Sequence, residues 1–106
     1  MDLVEAVYAT TRVWPREESY GLTSQAKRAA ISIPSNIAEG HGRETTGVFI
    51  QFLRIAQGSL KELETHLILS GRVGLMEERE MGDLLTKADE AGKMLRSMVR
   101  SLQQKS

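Results

Sequence analysis

One stretch of the sequence, from about Thr46 to Ser70, constrains the fold more than any other. Apolar side chains recur there at intervals of three and four residues for five turns, which is the spacing of a continuous stripe on an α-helix. The stripe consists of Phe49, Phe52, Leu53, Ala56, Leu60, Leu63 and Leu67. Such a helix is roughly 35 Å long at about 1.5 Å per residue. It needs other helices to cover the stripe.

Glycine at position 58 lies inside this predicted helix. It costs up to about 1 kcal/mol relative to alanine, because glycine loses more backbone freedom on folding. We therefore expect a neighbouring backbone to approach the helix closely at Gly58.

Three further segments have apolar residues at helical spacing, so each is predicted to be a helix. They run from about Asp2 to Trp14, from Leu22 to Gly40 and from about Glu77 to Leu102. Polar stretches with Pro or Gly predict loops at 15–21, 40–47 and 71–74. Together the segments predict one all-α domain over 1–106, an antiparallel up-down four-helix bundle. Its first helix is shorter than the others and leaves part of the long third helix uncovered.

The second segment is predicted to be the most central helix, because alanines on its apolar face allow other helices to approach. That face consists of Leu22, Ala26, Ala29, Ala30, Ile33 and Ile37. Pro34 lies within the segment and is expected to kink the helix there. The alternative is that the helix ends at Pro34, but the periodicity continues through Ile37. Ile31 and Ala38 lie on another side, cannot reach the same core, and are expected to contact a second copy of the chain.

A polar ridge runs along the same segment, formed by Arg28, Ser32, Ser35 and Glu39 at spacings of four, three and four residues. One interpretation is a binding surface, in which Lys27, Arg28 and Arg43 contact phosphate or an acidic group. The favoured interpretation is structural: Arg28 and Glu39 pair across a subunit boundary, while Ser32 and Asn36 bond to backbone near Pro34.

Composition excludes several classes of protein. The 106 residues include no cysteine, so neither a disulfide framework nor a thiolate metal site is possible, and a reducing cytoplasm is the expected compartment. No apolar run approaches the roughly 20 residues that cross a bilayer, and the N-terminus does not resemble a signal peptide. The formal net charge is zero, whereas general nucleic-acid binders are usually basic.

The charges of the last segment are sorted along its length. Residues 77–90 contain six acids and two bases, whereas 91–106 contain no acid and four bases. Acids near the start of a helix and bases near its end complement the helix dipole, which explains the pattern without a ligand. The alternative is that the basic end meets phosphate.

No enzyme motif is present, and neither a catalytic residue, a cofactor nor a small-molecule substrate is predicted. The sequence contains no cysteine nucleophile, no phosphate-binding glycine loop and no Gly-x-Ser-x-Gly elbow. Glu62 and His66 lie four residues apart on one helix face, but di-iron bundles use two Glu-x-x-His motifs with further glutamates. We therefore predict no metal site and expect both side chains to form hydrogen bonds at a helix interface.

Two motifs give the sequence a clear resemblance. They are Ser32-Ile33-Pro34-Ser35-Asn36-Ile37-Ala38-Glu39-Gly40 and Gly58-Ser59-Leu60-x-Glu62-Leu63-Glu64-Thr65. On these motifs, and on the region from Tyr20 to about Leu75 around them, the chain resembles the four-helix-bundle proteins called 23S ribosomal RNA intervening-sequence proteins. Members of this family usually have a further stretch before the position of Met1, with a Val-Trp-Gln-like motif that begins the first helix, so we expect this chain to start at an internal methionine.

The resemblance implies an up-down four-helix bundle that assembles as a homopentamer. The family is related to the accessory variability determinant proteins of diversity-generating retroelements, which bind nucleic acid together with a reverse transcriptase. By analogy this implies RNA or DNA as a partner. We therefore expect a non-enzymatic, homo-oligomeric scaffold or adaptor that binds nucleic acid; the alternatives are an assembly whose partner is another protein and, last, an enzyme with an unrecognised site between helices.

Overall fold

Four α-helices account for most of the chain. The computed structural model describes residues 1–18 and 21–105. Its helices, numbered in chain order, are α1 (Asp2–Thr11), α2 (Leu22–His41), α3 (Thr46–Arg72) and α4 (Glu78–Lys105). The predicted all-α fold is confirmed. Three positions lie outside the described residues: 19, 20 and 106. The first two belong to the predicted loop 15–21, and the resemblance begins at Tyr20. Position 106 ends the basic C-terminal stretch.

Consecutive long helices are antiparallel. Between α2 and α3, Arg28 contacts Glu62 and Ser32 contacts Ser59, so numbers rise along one helix as they fall along the other. The same holds for α3 and α4, where a side chain at Gly92 would meet Leu60 and one at Gly71 would meet Met81. The helix α1 packs against α2 and α4. The bundle is a rod of 46 × 22 × 17 Å.

The core follows the predicted apolar faces. On α2, Ile33 and the three alanines are fully buried, and Ile37 is half-buried. On α3 the buried positions continue from Leu53 to Leu67, while Phe49 and Phe52 are half-buried. The helix α2 continues through Pro34 to His41, so the proline does not end it, and the kink stays a prediction. His41 is therefore the last residue of α2 and not part of the loop that the sequence predicted.

The helix α1 covers only part of the bundle. It has 10 residues against 27 for α3, and it ends at Thr11, before the predicted end at Trp14. Trp14 is nevertheless buried, because the turn after α1 directs it into the core. Beyond the reach of α1, Phe49, Met98 and Leu102 line an open cleft between α3 and α4.

The predicted close approach at Gly58 is wrong for the single chain. A side chain at Gly58 would meet no atom within 4 Å, and this glycine is exposed. Close approach occurs instead at Gly40, where a Cβ atom would lie 2.7 Å from the Cβ of Phe52 and 2.8 Å from Cδ1 of Phe49. Glycine at position 40 thus lets the end of α2 contact the start of α3.

Replacing Gly40 with alanine is expected to destabilise the bundle by roughly 1–3 kcal/mol, because the added methyl group overlaps the α3 side chains. Gly82→Ala is the matched control: nothing lies within 4 Å of its Cβ position. Since alanine is the better helix former, this control should gain up to about 1 kcal/mol. Urea unfolding monitored by circular dichroism measures both; equal effects of the two substitutions would contradict the close α2–α3 contact.

Candidate functional site

A line of polar contacts, which we call the α2–α3 seam, joins the two central helices near the surface. The Arg28 guanidinium donates to the Glu62 carboxylate at 2.8 Å and also to Gln25. One turn further along α2, the hydroxyl groups of Ser32 and Ser59 lie 2.7 Å apart. Asn36 completes the seam, since its amide donates to the backbone oxygen of Ser32 at 2.8 Å.

The seam aligns the two helices more than it stabilises them. Arg28 and Glu62 remain 57% and 42% exposed, and exposed ion pairs contribute about 0–1 kcal/mol. The hydrogen bond from Arg28 to Glu62 nevertheless joins one turn of α2 to one turn of α3, while Gln25 of the same helix holds the guanidinium in place. The predicted backbone bond of Asn36 is confirmed, whereas Ser32 bonds mainly to side chains.

The remaining ridge residues also have partners in their own chain. Glu39 pairs with Arg43 at 2.7 Å, and the Ser35 hydroxyl donates to the backbone oxygen of Ile31 at 2.8 Å. The structure thus pairs Arg28 and Glu39 within one copy, whereas the favoured sequence interpretation paired them across a subunit boundary. Most hydrogen-bonding groups of the polar ridge therefore have a partner within their own chain.

Apolar side chains flank the seam on its solvent side. Ile31 on α2 is 45% exposed and Ile55 on α3 is 51% exposed. Ala38 and Gly58 are exposed on the same sides of the two helices. We call these four residues the outer α2–α3 face. The exposure of Ile31 and Ala38 confirms that they do not reach the core.

Sequence reasoning missed the contribution of Ile55 to this face. Its signal was available, because Ile55 lies off the three-four stripe of α3 and therefore has to point away from the core. An isoleucine and a glycine three residues apart are unusual on the exposed side of a long helix, where polar side chains are the rule.

The three basic residues predicted to contact nucleic acid do not form one cluster. The ammonium group of Lys27 lies 5.4 Å from the ring centre of Tyr8, on the α1 side of α2. Arg28 faces α3, and Arg43 follows the end of α2, roughly 20 Å further along at about 1.5 Å per residue. Arg28 and Arg43 are each engaged by a glutamate. The structure therefore gives these three cations separate surroundings.

The antiparallel fold instead sorts charge between the two halves of the bundle. The half formed by 31–61 and 91–105 contains seven bases and two acids, a net charge of +5. The half formed by 1–30 and 62–90 contains seven bases and twelve acids, a net charge of −5. A neutral chain thus folds into a rod with a basic end and an acidic end.

The glutamate and histidine considered as metal ligands have different surroundings. Glu62 bonds to Arg28, as expected for a helix interface. The expected hydrogen bond of His66 is wrong: both ring nitrogens are buried and have no hydrogen-bond partner among the residues that the structure describes. Within 1–18 and 21–105, no group of three or more His, Asp or Glu side chains is arranged to hold a metal ion.

The clefts of the bundle are shallow, and they lie between helices or, at the start of α2, beside the preceding loop. One of about 290 Å³ lies between α3 and α4, with Leu60 and Gly92 among its lining residues and Lys61, Glu64 and Arg96 around them. Its charged groups differ in sign and do not include a nucleophile with a base. Among the described helices, none is long and apolar enough to cross a membrane.

Comparison with known proteins agrees with this architecture. A solved structure from Bacteroides thetaiotaomicron, of a protein with unknown function from the S23 ribosomal protein family, is similar to this chain with a TM-score of 0.74. The match is 22% identical and covers 92% of this chain and 85% of that chain, which shows the shared fold. No curated protein sequence is significantly similar. The family model described as 23S rRNA-intervening sequence protein matches residues 1–97, so the chain belongs to that family.

Proposed function

We propose that this protein is a non-enzymatic scaffold or adaptor, assembled from identical copies through the outer α2–α3 face, that binds nucleic acid. The observation that carries the proposal is the exposure of Ile31 and Ile55 on adjacent helices. Burying such a side chain completely stabilises by roughly 1.5–3 kcal/mol. Because the polar groups between the two helices already bond to each other, the face can be covered without leaving charges unpaired.

The exposed glycine on this face supports contact with a second copy. Gly58 lies within a long helix and weakens it, yet no part of its own chain packs closely against it. A helix of another copy lying against α3 at this point would use the missing side chain, as small residues allow helices to approach. Resemblance to the family implies five copies arranged around an axis.

Nucleic acid is the partner favoured by the distribution of charge. One half of each bundle carries a net charge of +5, and assembly would repeat that charge in every copy. Phosphate contacts by lysine and arginine supply most of the sequence-independent affinity for nucleic acids. A purely protein-binding assembly is the alternative. It predicts no binding to nucleic acid even at about 50 mM salt, where electrostatic contacts are strong.

The substitution Ile31→Glu is expected to dissociate the assembly while leaving the helices intact. A carboxylate buried between copies would have no partner, whereas in one copy position 31 faces water. Light scattering measures the particle mass, and circular dichroism measures the helix content. Val13→Glu is the control, because Val13 is 81% exposed and lies outside the outer α2–α3 face. If the mass of the Ile31→Glu variant equals that of the control, the face is not a contact.

The substitution Gly58→Gln separates assembly from folding. Glutamine is the better helix former, so in an Ile31→Glu background it should raise the free energy of unfolding by up to about 1 kcal/mol. In the otherwise unchanged chain it should lower the assembled mass, since its side chain fills the space that another copy would occupy. A gain in stability with unchanged mass would exclude Gly58 from the contact.

A further inference from the structure

We infer that the face shared by the C-terminal half of α4 and the N-terminal half of α3 binds the phosphate backbone of double-stranded nucleic acid without regard to its sequence. This inference rests on the proposed function and specifies its binding surface. We call the surface the α3–α4 basic face. It consists of Arg54, Lys61, Lys93, Arg96 and Arg100.

The antiparallel register brings these cations to the same end of the bundle. Gly92 of α4 packs against Leu60 of α3, and Arg96 lines a cleft together with Gln57 and Lys61. The Arg96 guanidinium lies over Gly92, with Nη1 3.3 Å from the position that a Cβ atom would take. Because α3 and α4 run in opposite directions from this contact, Arg54 and Arg100 both lie beyond it toward the basic end.

The two helical stretches contain no acidic residue. From 45 to 61 on the α3 side and from 91 to 105 on α4, neither Asp nor Glu occurs. In the part of the chain that the structure describes, Arg96 and Arg100 have no carboxylate within 4 Å. Arg54 donates to the neutral side chain of Gln57 at 3.0 Å. Most cations of the face are therefore free to neutralise an external anion.

Two cations of the face have weak partners at its boundary. Lys61 lies 3.4 Å from Glu64, and Lys93 lies 3.4 Å from Asp89. Both lysines are exposed, and exposed ion pairs contribute little free energy. A phosphate can therefore replace the carboxylate with little loss of stability. The two carboxylates belong to the acidic half and mark where the basic face ends.

The other side chains of the face favour nucleic acid over a protein partner. An uncharged hydrogen-bonding group, the Gln57 side chain, lines the same cleft as Lys61 and Arg96, and such groups commonly contact phosphate and sugar. The exposed apolar residues nearest in sequence, Ile55 and Met94, point to other sides of their helices. Protein–protein contacts have an apolar centre, whereas nucleic-acid interfaces are more polar and more positive.

The absence of aromatic residues specifies the form of nucleic acid. The two phenylalanines of the N-terminal half of α3 lie elsewhere: Phe49 lines the cleft with Met98 and Leu102, and Phe52 packs against Gly40. No Phe, Tyr or Trp occurs after Phe52, so the face has no platform on which unpaired bases could stack. A row of flexible cations contacts the phosphate backbone of a duplex and does not recognise the edges of its bases. Duplex DNA and duplex RNA share this backbone chemistry.

The test measures binding of fluorescein-labelled duplexes of about 20 base pairs by polarisation over a range of salt concentrations. The double variant Arg96→Gln, Arg100→Gln removes two unpaired cations of the face. Its matched control, Arg72→Gln, Arg79→Gln, removes two arginines from the opposite end of the α3–α4 pair that form no ion pair within the described part of the chain. Both variants change the net charge equally. Duplex DNA and duplex RNA are compared, together with a second duplex of unrelated sequence and a single strand.

The face variant should bind at least about tenfold more weakly than the native chain at about 50 mM salt. The slope of log K against log salt should fall by roughly 1.8, which is about 0.9 for each lost contact with DNA. The control should keep the native affinity and slope, and two unrelated duplexes should bind alike. Preference for the single strand, or equal losses in both variants, would overturn the inference.

Failure of this inference differs from failure of the proposed function. If the native chain binds duplexes and the face variant binds equally well, the surface is elsewhere and the inference is overturned alone. If the native chain binds no nucleic acid at about 50 mM salt, the nucleic-acid part of the proposed function is overturned with it. If the face variant loses assembled mass but keeps its affinity for duplexes, the α3–α4 basic face contacts the acidic end of another copy, and the inference is overturned.

Discussion

The close packing of α2 against α3 is the contact on which the rest of the bundle depends. Alanines at 26, 29 and 30 let the two helices approach, and Gly40 allows the approach to continue to the end of α2. At so short a distance the seam side chains reach each other, and Arg28, Ser32 and Asn36 bond within the chain. The outer face is consequently left with few polar groups that need water, and its apolar side chains are free to pack against another copy.

The sequence predicted those features of the fold that depend on periodicity. The stripe from Phe49 to Leu67 and the alanine-rich face of α2 required only the spacing of apolar residues, and both are where the spacing placed them. Pro34 did not end α2, because enough apolar contacts on either side maintain a helix that lacks one backbone bond. Helix ends shifted by a few residues, since they depend on caps and turns.

Features that depend on the relative position of two helices were not predicted. Spacing does separate two of the glycines: Gly40 lies seven residues after Ile33 on the buried face of α2, whereas Gly58 lies off the α3 stripe and faces open space. Which α3 side chains crowd Gly40 depends on how the two helices pack. The pairing of Arg28 with Glu62 depends on that packing. The Glu39–Arg43 pair, by contrast, joins residues four positions apart in sequence, and the spacing alone allows it. The sequence showed only the part of the basic end that lies in α4, where acids precede bases. The other bases lie in α3, more than thirty positions earlier, and only the fold brings the two groups together.

Sedimentation equilibrium of the unaltered chain tests the central claim most directly, namely that the outer α2–α3 face requires a second copy to cover it. Each chain has a mass of 11.8 kDa. The exposed isoleucines on adjacent helices predict a mass of at least twice this value, in whole-number multiples, that changes little with salt, since apolar burial is not screened. A mass of 11.8 kDa at every concentration would show that the face remains in water and would contradict the claim.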